Sequence, residues 1–194
     1  MILKGLLAPV EALLNPRRFY TRLRKMLSRH GIYVTASIYF GAWIGASITL
    51  FFLILLVEAA RSLLGLNPVG LLTAPFRALV YSFLFPIVPA LVDAIIIMIF
   101  LAPFDRDRPL YDVFAVRASS LLPYTLRVAY LELKGLLTIK TLAMATTTPI
   151  GLTLLLIGAM LTAYGLRRTL RAPTHAAIIA GLAPLAYKIA LALT

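Results

Sequence analysis

Long apolar runs without a single charge constrain this chain more than any other feature of its sequence. Residues 38–57, 78–92 and 141–166 contain no Asp, Glu, Lys or Arg. A helix of about 20 such residues crosses the hydrocarbon core of a bilayer. The chain is 61% hydrophobic and only 13% charged, whereas a soluble domain carries about a quarter charged residues. We therefore expect an all-α, polytopic membrane protein.

The pattern predicts about five transmembrane helices, preceded by an interfacial amphipathic helix. The predicted spans are residues 33–57, 76–101, 113–131, 148–166 and 175–193. With the N-terminus in the cytoplasm, five spans place thirteen basic residues inside and six outside, in agreement with the preference of Lys and Arg for the inner side. Omitting the third span would leave Arg167, Arg168 and Arg171 outside. We expect a multi-pass protein of the cell membrane with its C-terminus outside.

A basic segment precedes the first apolar run and defines an interfacial region, residues 1–31, ahead of a transmembrane domain, residues 32–194. Asn15 followed by Pro16 is a favourable helix start. After it, apolar and basic residues fall on opposite faces, as in helices that lie on a membrane surface. We expect its cations to contact anionic lipid headgroups; they are Arg17, Arg18, Arg22, Arg24, Lys25 and Arg29. The net charge of +12 then reflects lipid contact and topology, and nucleic acid is not expected as a partner.

Small residues and prolines predict how the helices pack and bend. Four small residues recur every fourth position in the first span and include a GxxxG pattern, which allows close helix approach; they are Ser37, Gly41, Gly45 and Thr49. The alternative is that glycine is simply common in membrane helices. Prolines inside predicted spans should kink them and free backbone carbonyls, which protein or water must then satisfy; they are Pro86, Pro89 and Pro123.

Asp93 is the most informative single residue, because it lies inside the second apolar run. An acidic residue near the middle of a membrane helix costs about 2.5–3.5 kcal/mol on insertion scales, so it should face the protein interior and find a partner. Arg117 is the preferred candidate and Lys188 the alternative. A structural ion pair that links two helices is the favoured interpretation. A proton or cation site beside the proline kinks is the other.

No pattern predicts catalysis, a cofactor or a metal. Asp105, Asp107 and Asp112 have the oxygen ligands that hard cations prefer, but arginines alternate with the first two and no glycine permits a tight loop, so we expect a charged turn. His30 and His175 lie in separate segments without a second histidine at ligand spacing. The chain lacks the H-E-x-x-H and G-x-S-x-G motifs and contains no cysteine. We expect a protein that is not an enzyme.

Three short stretches resemble the Yip-type membrane domain, named from the Ypt/Rab-interacting proteins, in its prokaryotic form. They are Asn15-Pro16-Arg17-Arg18-Phe19, Ala115 to Pro123 with its Ala-Ser-Ser patch, and Gly165-Leu166-Arg167 followed by Ala176-Ala177. The resemblance covers nearly the whole chain and implies five helices with a cytosolic N-terminus and no catalytic residues. The Asp-Leu-Tyr-Gly-Pro element of eukaryotic members is missing, and residues 107–112 match it only in part, which argues against a Rab-binding role.

These observations lead to two functional expectations. The first is a non-enzymatic scaffold or membrane-organising protein, whose partners are membrane lipids and a membrane protein or a second copy of the chain. The second is a small transporter or channel built around an intramembrane acidic residue on a proline-kinked helix. The two differ in whether Asp93 supports flux of an ion or proton.

Overall fold

The computed structural model describes residues 2–65, 70–84, 87–104, 110–136, 138 and 148–193. These residues form helices and, within those ranges, no strand. The helices are α1 (Ile2–Leu14), α2 (Pro16–Leu63), α3 (Gly70–Leu84), α4 (Ile87–Leu101), α5 (Leu110–Ser119), α6 (Leu122–Leu133), α7 (Pro149–Leu170) and α8 (Thr174–Leu193). The predicted all-helical class is confirmed for the described part of the chain.

Three of these helices are long and apolar enough to cross a membrane. They are α2, α7 and residues Thr174–Ala192 of α8. Their exposed apolar side chains suit a hydrocarbon environment and indicate a membrane-embedded protein. The third predicted span instead occurs as two shorter helices, α5 and α6, and the described part of the second comprises α3 and α4.

Helix α2 joins the basic segment to the first apolar run. Its start is capped as the sequence predicts, since the Asn15 side chain accepts a hydrogen bond of 3.3 Å from the backbone N–H of Arg18. The backbone leaves helical geometry at His30, with φ −140° and ψ 32°. This kink allows the segment before His30 to take a different direction from the segment that follows. The helix ends before Gly65, whose φ of +70° few other residues adopt.

Side chains of α2 bond to two backbone carbonyls near the end of α3. Residue 86 is a proline without an N–H, so Ser82, four residues earlier, loses its usual helical donor. The Ser47 hydroxyl donates to the Ser82 carbonyl oxygen at 2.7 Å. The indole N–H of Trp43 donates to the Phe83 carbonyl oxygen at 3.0 Å. The Ser47 hydroxyl therefore takes the place of the donor that Pro86 lacks, and Trp43 adds a second hydrogen bond between α2 and α3.

The end of α6 is likewise held by a side chain of α2. Arg61 donates from Nη2 to the carbonyl oxygens of Glu132, at 2.8 Å, and Leu133, at 3.1 Å. A cation at the last carbonyls of a helix also interacts favourably with the helix dipole. Arg61 lies 3.4 Å from the Glu58 carboxylate as well. The far end of α2 is thus fixed to the end of α6.

Two apolar clusters form the interior and are arranged one above the other. The first joins α1 and the early part of α2 to α4, α5, the end of α7 and the beginning of α8. The second joins the later part of α2 to α3, α6 and the beginning of α7. Along α7, Leu155 belongs to the second cluster and Leu166 to the first. The residues of α7 between them lie where the two clusters meet, halfway along a helix of membrane-spanning length.

Candidate functional site

Three charged side chains from three helices meet at the junction of the two apolar clusters. Asp93 of α4 accepts hydrogen bonds on Oδ2 from Arg117 of α5, at 3.1 Å from Nε and 2.5 Å from Nη2. Its other oxygen, Oδ1, accepts from the ammonium group of Lys188 on α8. Asp93 is 1% exposed, Arg117 7% and Lys188 6%. The structure therefore brings both expected partners to Asp93, one at each carboxylate oxygen. We call these three residues the charged triad.

Two hydroxyl residues extend the charged triad to α7. Arg117 Nη1 lies 3.3 Å from Ser120 Oγ, and Ser120 Oγ lies 2.8 Å from Thr162 Oγ1. Thr162 in turn donates to the carbonyl oxygen of Gly158 in its own helix, at 2.8 Å. With the hydroxyls included, the polar network connects α4, α5, α7 and α8. The turn between α5 and α6 contributes Ser120, so the break in the third predicted span supplies part of the network.

A small cavity lies against this network. Its volume is about 20 Å³, and its wall includes Asp93, Arg117, Lys188 and Tyr124. A volume above roughly 10–15 Å³ on this scale holds one water molecule. The Tyr124 side chain is 3% exposed, and its buried hydroxyl has no hydrogen-bond partner among the described residues. The cavity is therefore polar on one side, and one of its lining residues has a hydroxyl that can bond to a bound molecule.

The charges in the triad do not cancel. Two cations face one carboxylate, so the formal charge of the three side chains is one positive unit. In an interior of low dielectric constant an unbalanced charge is costly, because little solvent is present to screen it. Among the described residues that line the cavity, Asp93 is the single anionic group. The site is thus arranged to hold a negative charge, or the negative end of a dipole, beside the two cations.

The predicted packing residues of the first span lie in different environments. Gly41 is buried and Thr49 is exposed, while Ser37 and Gly45 are partly exposed. A Cβ added at Gly45 would lie 3.2 Å from the Leu6 side chain, so the element closest to this glycine is α1. Thr49 donates at 2.8 Å to the carbonyl oxygen of Gly45. A closer helix contact occurs elsewhere, at Gly181 of α8, where an added Cβ would lie 2.8 Å from the Ala163 backbone.

The structure describes two of the three predicted kink residues. Pro86 is outside the described residues. Pro89 is the third residue of α4 as described. Pro123 is the second residue of α6. The chain turns just before it, because the Ser120 and Leu121 N–H groups bond to carbonyls three residues earlier. Pro123 therefore lies in the first turn of a new helix.

The basic segment packs its apolar face on the protein. Phe19, Tyr20, Leu23 and Leu27 are buried in the first apolar cluster. On the opposite face, most of the predicted lipid-binding cations are exposed; these are Arg17, Arg18, Arg22, Lys25 and Arg29, whereas Arg24 is partly buried. Arg22 also pairs with Glu11 of α1. The apolar face is thus taken up by protein, while the cations remain available to an outside surface.

Tyr20 is the residue through which the basic segment enters the interior. It is fully buried, and burial raises the pKa of its hydroxyl to about 12. A hydrogen bond from Ser119 and the charge of Arg117 offset part of this rise. The Ser119 hydroxyl donates to the Tyr20 oxygen at 3.4 Å. An added Cβ at Gly165 would lie 2.7 Å from the Tyr20 ring. A residue without a side chain at position 165 therefore makes room for this tyrosine.

The acidic and histidine residues considered for metal binding do not form a group where they are described. No three His, Asp or Glu side chains come together within the described ranges. Asp112 is in the first turn of α5, and His175 packs edge-on against Phe104 with ring centroids 5.2 Å apart. Asp105 and Asp107 lie outside the described residues.

Sequence reasoning did not find Ser120, Thr162 and Tyr124 as members of the site. Hydroxyl residues are common in membrane helices, and no spacing distinguishes the ones that face a charge from the ones that face lipid. One available signal was the Ser119-Ser120 pair three residues before Pro123, because a proline marks a break where side chains contact freed backbone groups.

Comparisons with known proteins leave the resemblance of the sequence to the Yip-type domain as a prediction. No protein-family model, curated protein or solved structure matches this chain.

Proposed function

We propose that this chain is a non-enzymatic membrane-organising scaffold of the Yip-like type, with five spans, a cytoplasmic N-terminus and an outer C-terminus. The observation that carries this proposal is the engagement of both oxygens of Asp93, one by Arg117 and the other by Lys188. A buried carboxylate with two cationic partners holds three helices together. It has no uncommitted oxygen with which to exchange a transported cation or proton.

The basic segment supports lipids as partners of such a scaffold. Its buried apolar face fixes it to the bundle, and its exposed cations form a surface suited to anionic headgroups. Each cation close to an anionic leaflet contributes about 1 kcal/mol. A membrane-protein partner or a second copy of the chain completes the proposal, and nucleic acid is not proposed, since the same cations serve as membrane contacts.

The rival proposal is a small transporter, and one observation favours it. The third predicted span is divided into two shorter helices, α5 and α6, and the charged triad and its cavity lie beside this break. Transporters often bind their substrates near the bilayer midplane between broken helices. For this rival, Asp93→Asn should abolish flux and leave the fold intact.

Reconstitution into proteoliposomes distinguishes the two proposals. The scaffold proposal expects no proton or ion flux above that of empty liposomes, for the full chain or for Asp93→Asn. It also expects crosslinking in the native membrane, followed by mass spectrometry, to recover a defined protein or lipid partner. Flux that depends on Asp93 would overturn the scaffold and support the transporter.

A further inference from the structure

We infer that the cavity beside the charged triad binds one small monovalent anion of halide size, as a resident counter-ion inside the helix bundle. This inference goes beyond the scaffold role and does not depend on it, since it concerns only what occupies the cavity. Three observations carry it, and they concern charge, hydrogen-bond donors and space.

An anion would balance the charge of the triad. Arg117 and Lys188 together carry two positive charges, and Asp93 supplies one negative charge. All three side chains are at least nine-tenths buried. Bulk water therefore cannot screen the remaining positive charge, and a monovalent anion in contact with the triad would neutralise it.

The hydrogen-bond groups at the cavity wall favour an anion. The proton of Thr162 is used on the Gly158 carbonyl oxygen, and Ser120 Oγ lies within bonding distance of Thr162 and of the Arg117 carbonyl oxygen. Lys188 and Tyr124 have donors left. An ammonium carries three protons, and one of those on Lys188 is directed to Asp93. The Tyr124 hydroxyl is buried without a partner among the described residues. Remaining donors beside a positive charge are the groups that bind anions in proteins.

The space admits one small ion. The cavity of about 20 Å³ exceeds the volume that one water molecule needs. Besides the charged and hydroxyl residues, its described wall is apolar. The glycines Gly158 and Gly181 form part of the wall, where larger side chains would fill the space. A polyatomic anion such as gluconate is too large for this volume, so anion size provides the basis of a test.

The thermal unfolding midpoint of the purified full chain, in uncharged detergent micelles, tests the inference. We expect the midpoint to rise saturably with chloride or bromide, compared with gluconate at the same ionic strength. The rise should be on the order of 5–10 °C when the halide concentration is about 100-fold above its dissociation constant. Equal midpoints in halide and gluconate would overturn the inference and indicate that water occupies the cavity.

Three variants assign the effect to the cavity. Lys188→Met, which makes the triad neutral, should abolish the halide dependence, and Tyr124→Phe, which removes a single hydroxyl, should reduce it. Tyr164→Phe is the matched control, because this tyrosine does not appear among the described lining residues, and it should retain the full rise. A halide dependence that is unchanged in both Lys188→Met and Tyr124→Phe would place the ion elsewhere and overturn the site.

A crystal soaked in bromide provides a second measurement that needs no variant. An anomalous peak within hydrogen-bond distance of Lys188 Nζ and Tyr124 Oη is the expected result, and a cavity without such a peak at saturating bromide would contradict the inference. The scaffold proposal fails on a different result, namely flux that depends on Asp93, so the two failures are distinguishable.

Discussion

At the scale of single residues, the three members of the charged triad differ in the number of charged partners they have. Asp93 bonds to two cations, whereas each cation bonds to one carboxylate oxygen. Removing the carboxylate leaves two buried positive charges without a counter-charge, while removing Lys188 leaves a neutral Asp93–Arg117 pair. The physical cost of the two changes is therefore different, although each deletes one charge.

Asp93→Asn is expected to lower the free energy of unfolding by about 3–5 kcal/mol, the cost of breaking a buried ion pair on one side. Lys188→Met should cost clearly less, since it removes the surplus charge and keeps a buried aliphatic chain. Unfolding in mixed micelles with increasing denaturing detergent measures both. A loss of stability in Lys188→Met equal to or greater than that in Asp93→Asn would contradict this account of the triad.

Tyr20 gives the chain a pH dependence at alkaline pH. The hydroxyl titrates near 10 when it is exposed in the unfolded chain and near 12 in the folded protein. Since the folded pKa is the higher one, the stabilisation is fully present below pH 10 and is lost as the pH rises towards 12. Over this pH interval we expect the free energy of unfolding to fall by about 2–3 kcal/mol more in the wild type than in Tyr20→Phe. Unfolding free energies measured for both proteins between pH 8 and 12 would show it, and parallel curves would refute it.

At the scale of elements, two side-chain hydrogen bonds connect α2 with the end of α3. Ser47 and Trp43 are on one helix, and the carbonyls of Ser82 and Phe83 are on the other. In an apolar environment such groups have no solvent as an alternative partner. The two bonds therefore fix α3 against α2 in one register.

Ser47→Ala should cost roughly 0.6–1.7 kcal/mol, the range measured for hydrogen bonds between membrane helices, because the carbonyl of Ser82 loses its donor. Thr49→Ala is the matched control two residues away. Thr49 is exposed, and among the described residues its hydroxyl bonds to a carbonyl of its own helix. Its replacement should therefore leave stability nearly unchanged. Detergent unfolding of both variants decides the question, and an equal cost at positions 47 and 49 would argue against the interhelical bond.

The sequence predicted the elements better than it predicted their continuity. Charge-free runs fix where helices form, because a bilayer leaves the backbone few alternatives. The number of spans depends on whether a proline bends a helix or divides it, and this depends on tertiary donors such as Trp43, which lies 40 residues from its partner. For the site, Asp93, Arg117 and Lys188 stand out because charges are rare in apolar runs. The hydroxyls of Ser120, Thr162 and Tyr124 do not stand out in the sequence, because their role depends on which face of each helix meets the charged side chains.

At the scale of the whole molecule, the proposed topology places the two ends of the apolar part of α2 on opposite sides of the membrane. Ser28 is exposed before this part and Leu63 is exposed, at 89%, after it. The chain contains no cysteine, so a single introduced cysteine is the unique target of a thiol reagent. This makes the orientation directly measurable.

We expect Ser28→Cys to be labelled by an impermeant maleimide only in inside-out vesicles, and Leu63→Cys only in right-side-out vesicles. This outcome follows from the excess of basic residues on the cytoplasmic side of the five predicted spans. Labelling of both cysteines from the same side would contradict a transmembrane α2, and the reverse pattern would invert the proposed orientation.

The long sequence separation within the charged triad has a consequence for biogenesis. Arg117 follows Asp93 by 24 residues, whereas Lys188 follows it by 95. During synthesis the carboxylate therefore meets its guanidinium partner early, and its ammonium partner emerges from the ribosome only after α7 has been made. Until then, the groove that α8 will occupy is open along α4, and a chaperone or translocon component that shields this groove would act at that stage of synthesis.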